Sequence, residues 1–571
     1  AVHPGYGFLA ENPDFAAACR AAGLVFVGPS ADAMRAMGHK AGAKRVMEAA
    51  GVPCVPGYDG ADQSDQRLAD EAARIGYPLM VKATAGGGGR GMRLVPSAAD
   101  FMGLLHSARS EARGAFGDDE VLLERAIVEP RHIEIQVLAD RHGHAIHLGE
   151  RDCSVQRRHQ KVIEEAPSPA VSPQLRERMG RDAVAATLAV GYEGAGTLEF
   201  LLDRDGRYYF MEMNTRLQVE HPVTEAVTGL DLVALQLRIA AGEPLPLTQD
   251  EVRIDGHAIE VRLCAEDPAS EFMPQSGRVA LWRPAPGLRV DHALRDGAAV
   301  PPFYDSMIAK LIAHAPTRDA ARQDLIAGLA ASVALGVVTN QRFLQRCLAH
   351  PVFAAGEATT AFIGANCEAL LAPDDAAQAE AARLAAWLFR LGADSPLANP
   401  FPAPLRFSLG GRVHTAQVRA LGGRGHDVRF DVEVADARFE LVARDGDTVR
   451  YRCDGVQARA VVHRDGPRLL LHTQGCAWEA IDLSFAPVAR AGAGPGDGLL
   501  RAAMTGRVIA LLVAEGDTVA ADQPVLTLEA MKMEHVHVAT QAGRVAGLHV
   551  ALGAQVAARQ LLAEIRSEAT P

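Results

Sequence analysis

The stretch EFLLDRDGRYYFMEMNTRLQVEHP, residues 199–222, holds two messages in succession. Its first half is a hairpin: Glu199-Phe200-Leu201-Leu202, a turn at Asp203-Arg204-Asp205-Gly206, then Tyr208-Tyr209-Phe210-Met211-Glu212. Antiparallel pairing brings Glu199 and Glu212 to neighbouring positions. Magnesium takes one or two carboxylates together with substrate phosphates, and Asn214 adds an oxygen ligand. Two carboxylates on a strand are also what a solvated face looks like, so the pair alone leaves both readings open. The second half, Asn214 to Pro222, is too polar for a buried strand unless it lines a site. Read as a strand, it puts Arg216, Gln218 and Glu220 on one face. A guanidinium, an amide and a carboxylate would then surround one small anion.

Working outward, ERDCSVQRRHQK at 150–161 packs polar residues just as densely between apolar strands. Farther upstream, Tyr77-Pro78-Leu79-Met80-Val81-Lys82 reads as a strand, and Met92-Arg93-Leu94-Val95 as a second. Between them lie Gly86, Gly87, Gly88, Gly89, Arg90 and Gly91. The spacing formally fits GxGxxG, but a strand and not a helix follows, so the dinucleotide fingerprint fails in context. No G-K-[ST] occurs, which excludes a P-loop. A glycine hairpin can instead fold over a triphosphate and donate backbone N–H groups to it; a plain flexible loop is the alternative.

The composition is that of a soluble globular protein, 48% hydrophobic and 22% charged. Its 571 residues suggest three or four domains. No apolar run of about 18 residues occurs, which excludes a transmembrane helix. A net charge of −12 argues against a nucleic-acid surface. Eight scattered cysteines without a CxxC pair read as reduced thiols of a cytoplasmic-type compartment. Of 58 Lys plus Arg only six are lysines: Lys40, Lys44, Lys82, Lys161, Lys310 and Lys532. A lysine retained in so arginine-rich a chain marks a place where a compact amine is needed, or a random survivor. The chain starts at Ala1-Val2, which looks like the end of a strand, so an N-terminal portion is expected to be missing.

Toward the C-terminus the pattern changes near Pro373. Asp374 and Asp375 cap a helix in which Leu384, Trp387, Leu388 and Leu391 share a face, and Gly392 ends it. Period-two strands follow, as in Val428, Phe430, Val432 and Val434. Turn signals recur at Asp445-Gly446, Asp454-Gly455, Asp465-Gly466 and Gln474-Gly475, predicting an antiparallel barrel or sandwich around that helix. Residues 488–498, VARAGAGPGDG, are a flexible linker by composition. The last seventy residues repeat internally. A shift of 37 superposes Gly506-Arg507-Val508 on Gly543-Arg544-Val545, with 11 identities in 23 positions. Two similar halves imply a small two-fold barrel. The segment joining them, EAMKMEH at 529–535, would be its exposed tip, with Lys532 displayed between two methionines.

That tip resembles the biotin carboxyl carrier domain, and the resemblance makes Lys532 the biotinyl-lysine. Ala502-Ala503-Met504 stands where the family often has Ala-Pro-Met. The segments HPGYGFLAEN, KATAGGGGRGM, PRHIEIQV, ERDCSVQRRHQKV, GAGTLEF, FMEMNTRLQVEHPVTE and PFYDSMIAKLI, in that order over residues 1–365, resemble the biotin carboxylase domain of the ATP-grasp superfamily. The resemblance implies that Lys40, Lys82, the glycines 86–89, His132, Gln156 and His159 contact ATP. Adenine would lie by Glu124 to Ile127. Glu199, Glu212 and Asn214 would hold magnesium or manganese. Bicarbonate would sit between Lys161 and Arg216, with Gln218 and the Val219 amide donating to it. Glu220 would be the general base, and Arg289 would stabilise the biotin enolate.

The middle region is similar to the domain that docks such a subunit onto a carboxyltransferase. The expected organisation is therefore multidomain. It comprises an α/β ATP-grasp biotin carboxylase domain over 1–365, a docking β-barrel with a central helix over 366–490, a linker at 491–498 and a small all-β biotinyl domain over 499–568. Overall the chain resembles the α subunits of biotin-dependent acyl-CoA carboxylases, most closely those acting on methylcrotonyl-CoA. Geranyl-CoA and propionyl-CoA carboxylase α subunits share the architecture. The implied partners are a carboxyltransferase β subunit, a biotin protein ligase and bicarbonate, with no nucleic acid or membrane. The implied location is cytoplasmic, or the mitochondrial matrix for a eukaryotic source. Two other classes compete: an ATP-grasp ligase joining a carboxylate to an amine, and a biotin carrier and scaffold without carboxylase activity.

Overall fold

The computed structural model of the chain describes residues 1–38, 40–84, 91–391, 401–422, 425–430, 434–486, 498–531 and 533–567. They form two compact units. One comprises Ala1–Val261, Ile312–Leu325 and Cys347–Cys367; the other comprises Arg262–Leu311, Ile326–Arg346 and Glu368–Pro571.

In the first unit a four-stranded antiparallel sheet runs in the order Gly57–Tyr58, Val121–Arg125, Leu79–Ala83, Met92–Val95. Strand alternation divides Leu79–Ala83 cleanly. Leu79 and Val81 enter a core with Leu68, Phe101 and Leu105 of the helices Asp65–Ile75 and Phe101–Phe116. Lys82 falls on the opposite side, in the strand next to Glu124. The glycine run at 86–89 lies outside the described residues.

A larger antiparallel sheet carries most of the polar clusters. Its order is residues 257–261, Gln160–Ala166, Ala145–Arg157, Arg131–Ala139, Gly194–Leu202, Tyr208–Asn214. Ile133, Ile135 and Val137 pack into a core with Met47 and Met179 of the helices Lys40–Ala49 and Pro173–Ala189. Period two sends His132, Glu134 and Gln136 to the other face, and all three are buried there. The register then lines up a polar row. Glu134 is paired with Arg151 on one side and Glu199 on the other, and Glu199 is paired with Glu212.

One expectation fails here. Residues 215–220 are not a strand: the sheet ends at Asn214, the chain bends, and Glu220 (φ −81°, ψ 6°) is the N-cap of the helix His221–Thr228. Pro222 in the first turn of that helix needs no N–H partner, which favours a helix start at this point. Arg216, Gln218 and Glu220 therefore do not share a strand face.

In the second unit eight antiparallel strands from Ala403–Leu409 to Cys476–Asp482 close a barrel, so the choice between barrel and sandwich falls to the barrel. The helix Asp375–Arg390, capped by Asp374 on the Ala377 N–H, fills it. Ala381, Ala382, Leu384, Ala385, Ala386, Trp387, Leu388 and Phe389 are all buried, the pattern of a helix enclosed on every side. Trp387 stacks on Phe439 at 5.0 Å and donates Nε1–H to His426 Nδ1 at 3.2 Å. Gly392, Val432 and the linker at 491–497 lie outside the described residues.

The C-terminal repeat becomes two equivalent four-stranded sheets. One runs Leu499–Arg501, Leu561–Arg566, Gly543–Leu548, Thr518–Val519. The other runs Met533–Val538, Pro524–Ala530, Gly506–Leu511, Gln555–Val556. Exchanging the halves maps one strand order onto the other. Ala503, standing where the resembled family has proline, donates its N–H to His537 Nε2 at 2.9 Å.

Candidate active site

The row Arg151, Glu134, Glu199 on the large sheet is the floor of the site, and Lys161 closes it from the neighbouring strand. The Lys161 ammonium donates to Glu134 Oε2 (2.5 Å), Glu199 Oε1 (2.8 Å) and Glu220 Oε1 (2.5 Å). Burial opposes the lysine's charge, but the three carboxylates outweigh it and hold the ammonium well above the usual lysine range. Burial likewise pushes the Glu199 carboxyl up, yet Lys161 and His132 hold it well below the usual carboxylate range. Both groups are therefore charged at neutral pH.

Because Glu220 caps a helix without bonding its N–H groups, its carboxylate is available to Lys161. Gln218 reaches the same point by another route. Its Nε2 donates to Glu199 Oε1 at 2.9 Å, the oxygen that Lys161 also binds. The bend after Asn214 thus achieves by chain reversal the convergence that a strand face was expected to supply.

Asn214 Nδ2 donates to that same Glu199 oxygen (2.9 Å), and its Oδ1 accepts from Arg216 (3.2 Å). Arg216 Nε is engaged by Glu11 Oε2 at 2.9 Å. The Arg216 guanidinium is therefore tied to the cluster through Asn214 and held on its other side by Glu11. His132 Nε2 lies 2.9 Å from Glu199 Oε2, and Gln156 Nε2 donates to His132 Nδ1 at 2.7 Å.

Arg151 and Glu134 were not singled out from the sequence. Arg151 is fully buried, and every guanidinium N–H has a partner: Glu134 (2.5 Å), Gln136 (2.8 Å), Thr224 (2.9 Å), Thr197 (3.1 Å) and Gln218 (3.3 Å). It fixes Gln218 by its oxygen, so the amide NH₂ faces Glu199. The strict alternation in RHIEIQV, with Ile133, Ile135 and Val137 between His132, Glu134 and Gln136, is a signal that could have marked the strand's second face.

Glu134, Glu199 and Glu220 set three negative charges against Lys161 and Arg151. Ligand atoms of His132, Glu134 and Glu199 lie within 4.8 Å of one another. An oxygen-rich, net-negative set of this kind fits a hard divalent cation. Glu212, paired with Glu199, is exposed at the end of the row.

On the smaller sheet Lys82 Nζ meets Glu124 Oε2 at 2.5 Å, and Lys44 Nζ lies 3.7 Å from the other oxygen. Lys44 also donates to the Val55 carbonyl at 2.7 Å, so it braces this pair. Ile127 follows the strand, half-buried. His159 is exposed in a tight turn (φ 65°), and Val219 lies in the turn before Glu220. Lys40 opens the helix Lys40–Ala49; its side chain, like Lys532, lies outside what is described. Arg289 belongs to the second unit, where Nε and one Nη each donate to Asp291 at 3.1 Å.

Comparison with known proteins gives the domain content and the family. The profile "Carbamoyl-phosphate synthase L chain, ATP binding domain" matches residues 39–248. The biotin carboxylase N-terminal and C-terminal domain profiles match 1–34 and 260–365. "Methylcrotonyl-CoA carboxylase, alpha-subunit, BT domain" matches 373–484, and "Biotin-requiring enzyme" matches 499–565. The methylcrotonoyl-CoA carboxylase subunit alpha of Mus musculus is 42% identical across 100% of this chain and 83% of its own length. The chain belongs to that α-subunit family. The corresponding Dictyostelium discoideum protein is 42% identical over 94% of the chain and 81% of its own length. Among solved structures, the biotin carboxylase domain of Hydrogenobacter thermophilus 2-oxoglutarate carboxylase is 45% identical with a TM-score of 0.62. The match covers 64% of this chain and 82% of that one, which was solved with MgADP, ADP and bicarbonate. The family activity is ATP-dependent carboxylation of biotin, with carboxylase and carrier in one polypeptide.

Proposed function

We propose that Lys532 carries the biotin, that bicarbonate is its carbon source at the Lys161–Glu220 site, and that the carboxyl group passes to 3-methylcrotonyl-CoA on a carboxyltransferase β subunit. The observation that carries the first half-reaction is the meeting of Lys161 with Glu199 and Glu220, with Gln218 on the same oxygen. A carboxylate beside an anion site suits one task, taking a proton from that anion. Bicarbonate has such a proton. Glu220 removes it as general base, Lys161 and Arg216 offset the charge, and Gln218 with the Val219 amide orients the anion. Glu199, Asn214 and Glu212 hold a divalent cation, whose charge offsets that of the ATP phosphates when bound. Lys40, Lys82, the glycines 86–89, His132, Gln156 and His159 hold those phosphates, and Glu124 to Ile127 flank adenine. The deprotonated bicarbonate takes the γ-phosphoryl group of ATP as ADP leaves, the resulting carboxyphosphate splits into CO₂ and phosphate, and that phosphate takes the ureido proton so that the biotin nitrogen can accept CO₂; Arg289 would stabilise the oxygen next to it.

The barrel is the docking surface for the β subunit; its match to the methylcrotonyl-CoA carboxylase α-subunit profile favours that acceptor over propionyl-CoA or geranyl-CoA. The working division is 1–365, 366–490, 491–498 and 499–568. A biotin protein ligase loads Lys532. The eukaryotic relatives are mitochondrial proteins, so the matrix is the location for a eukaryotic source and the cytoplasm for a bacterial one. Bicarbonate-dependent ADP release with free biotin tests the reading. ADP release that needs an amine instead of bicarbonate would point to a carboxylate–amine ligase. A streptavidin-positive chain without ATP cleavage would be a carrier and scaffold only.

A further inference from the structure

The carrier's hairpin tip is not bare in the second unit. Ala530 pairs with Met533 at the end of this hairpin, and Met531 follows Ala530 outside the ladder. Met531 takes φ 46°, and its N–H has no partner in its own ladder. It donates instead to the carbonyl of Pro302, at 3.3 Å. The Met531 side chain is only 6% exposed although it stands at the tip, outside the carrier's own core. A second contact comes from the same direction: Met273, on the short strand Met273–Pro274, packs against the carrier core. Beside the contact, Phe303 and Tyr304 are 67% and 63% exposed. The segment runs into the strand Met307–Ala315, the sheet neighbour of Arg289–His292.

We infer that Pro302 together with Met273 is the landing surface on which the chain's own carrier presents its hairpin for carboxylation. The inference rests on the reading of Lys532 as the biotinyl-lysine, and it assigns that reading a surface. A backbone carbonyl gives the hairpin a register without reading its side chains. Two methionines adapt to a repeatedly broken contact, because the thioether chain repacks at little penalty.

The test uses the full biotinylated chain. Two rates are compared: transfer of labelled bicarbonate onto protein-bound biotin, and bicarbonate-dependent ADP release with free biotin. Met273→Glu places a charge against the carrier core. It is expected to lower the first rate at least tenfold and leave the second within twofold. Met273→Gln, nearly the same size, is expected to lower the first rate a few-fold and leave the second unchanged. In hydrogen exchange the Met531 amide is expected to be protected in the wild type and several-fold faster in both variants. An unchanged carrier rate, or an equal fall of both rates in both variants, overturns the landing surface. Failure of the Lys532 reading shows separately, as a wild-type chain that takes no biotin at that residue.

Discussion

At the scale of single residues, Lys161 is the pivot, because one ammonium answers three carboxylates within 2.8 Å. Glu220 is the carboxylate that sits on a helix cap instead of on the sheet, so it can be changed without breaking the polar row. Glu220→Gln keeps the shape and removes the base. It is expected to lower bicarbonate-dependent turnover by about 10²-fold or more while ATP still binds, the scale of a lost general base. Turnover within a few-fold of wild type would show that another group takes the proton, and lost ATP binding would make Glu220 structural. Arg151 is the opposite case. Arg151→Met leaves Glu134, with its fully buried side chain, without its guanidinium. Breaking a buried pair in this way costs about 3–5 kcal/mol, so the variant is expected to unfold at lower denaturant than wild type. Equal denaturation midpoints would refute the structural role. Glu134 and Arg151 were harder to single out than Glu220 because a polar residue inside an apolar strand acquires meaning only through its cross-strand neighbours.

Among elements, the hairpin Gly194–Leu202 with Tyr208–Asn214 was legible from alternation and a turn signal, down to the pairing of Glu199 with Glu212. The stretch after it was not. Its polar density suggested a lined strand, but Pro222 starts a helix, and a bend brings the same side chains together. The barrel's turns were legible because Asp454-Gly455 and Gln474-Gly475 take positive φ at both positions, which favours these residue types in tight hairpins. Its closure was not, since closure depends on pairing Ala403–Leu409 with Cys476–Asp482 across the whole domain. The barrel also carries a pH dependence. His472 is buried in the strand Arg468–Thr473, and burial, helped by Arg459, pushes its imidazole down to about 4. An unfolded histidine titrates near 6.5. Between those values the unfolded chain binds a proton that the folded barrel refuses. Stability is therefore complete above about pH 6.5 and falls as pH drops toward 4, by roughly 3 kcal/mol for this group. His472→Leu is expected to remove that part of the acid sensitivity in calorimetric scans at pH 7 and pH 4.5. An unchanged difference between the two scans would refute it.

At the scale of the whole molecule, carboxylase and carrier share one polypeptide, and two losses should separate cleanly. Deleting residues 366–490 is expected to abolish co-purification with the carboxyltransferase while sparing carboxylation of free biotin; retained assembly would refute the docking role of the barrel. Lys532→Arg is expected to abolish streptavidin binding after co-expression with a biotin ligase, and a variant that still binds would remove Lys532 from its role. What the sequence by itself determined is everything with a short period or a local rule: strand alternation, the glycine and aspartate turns, the helix cap at Asp374, the 37-residue repeat and the polar clusters. These follow from backbone sterics and side-chain pattern, which act over a few residues or repeat along the chain. The tertiary structure decided which clusters meet. Register across four strands set Arg151, Glu134, Glu199 and Glu212 in one row. Chain reversal after Asn214 carried Gln218 and Glu220 to the same ammonium or its partner oxygen. A contact between Met531 and Pro302, more than two hundred residues apart, covered the carrier's tip. Such meetings depend on the burial of every intervening residue, and no local stretch of sequence contains that information.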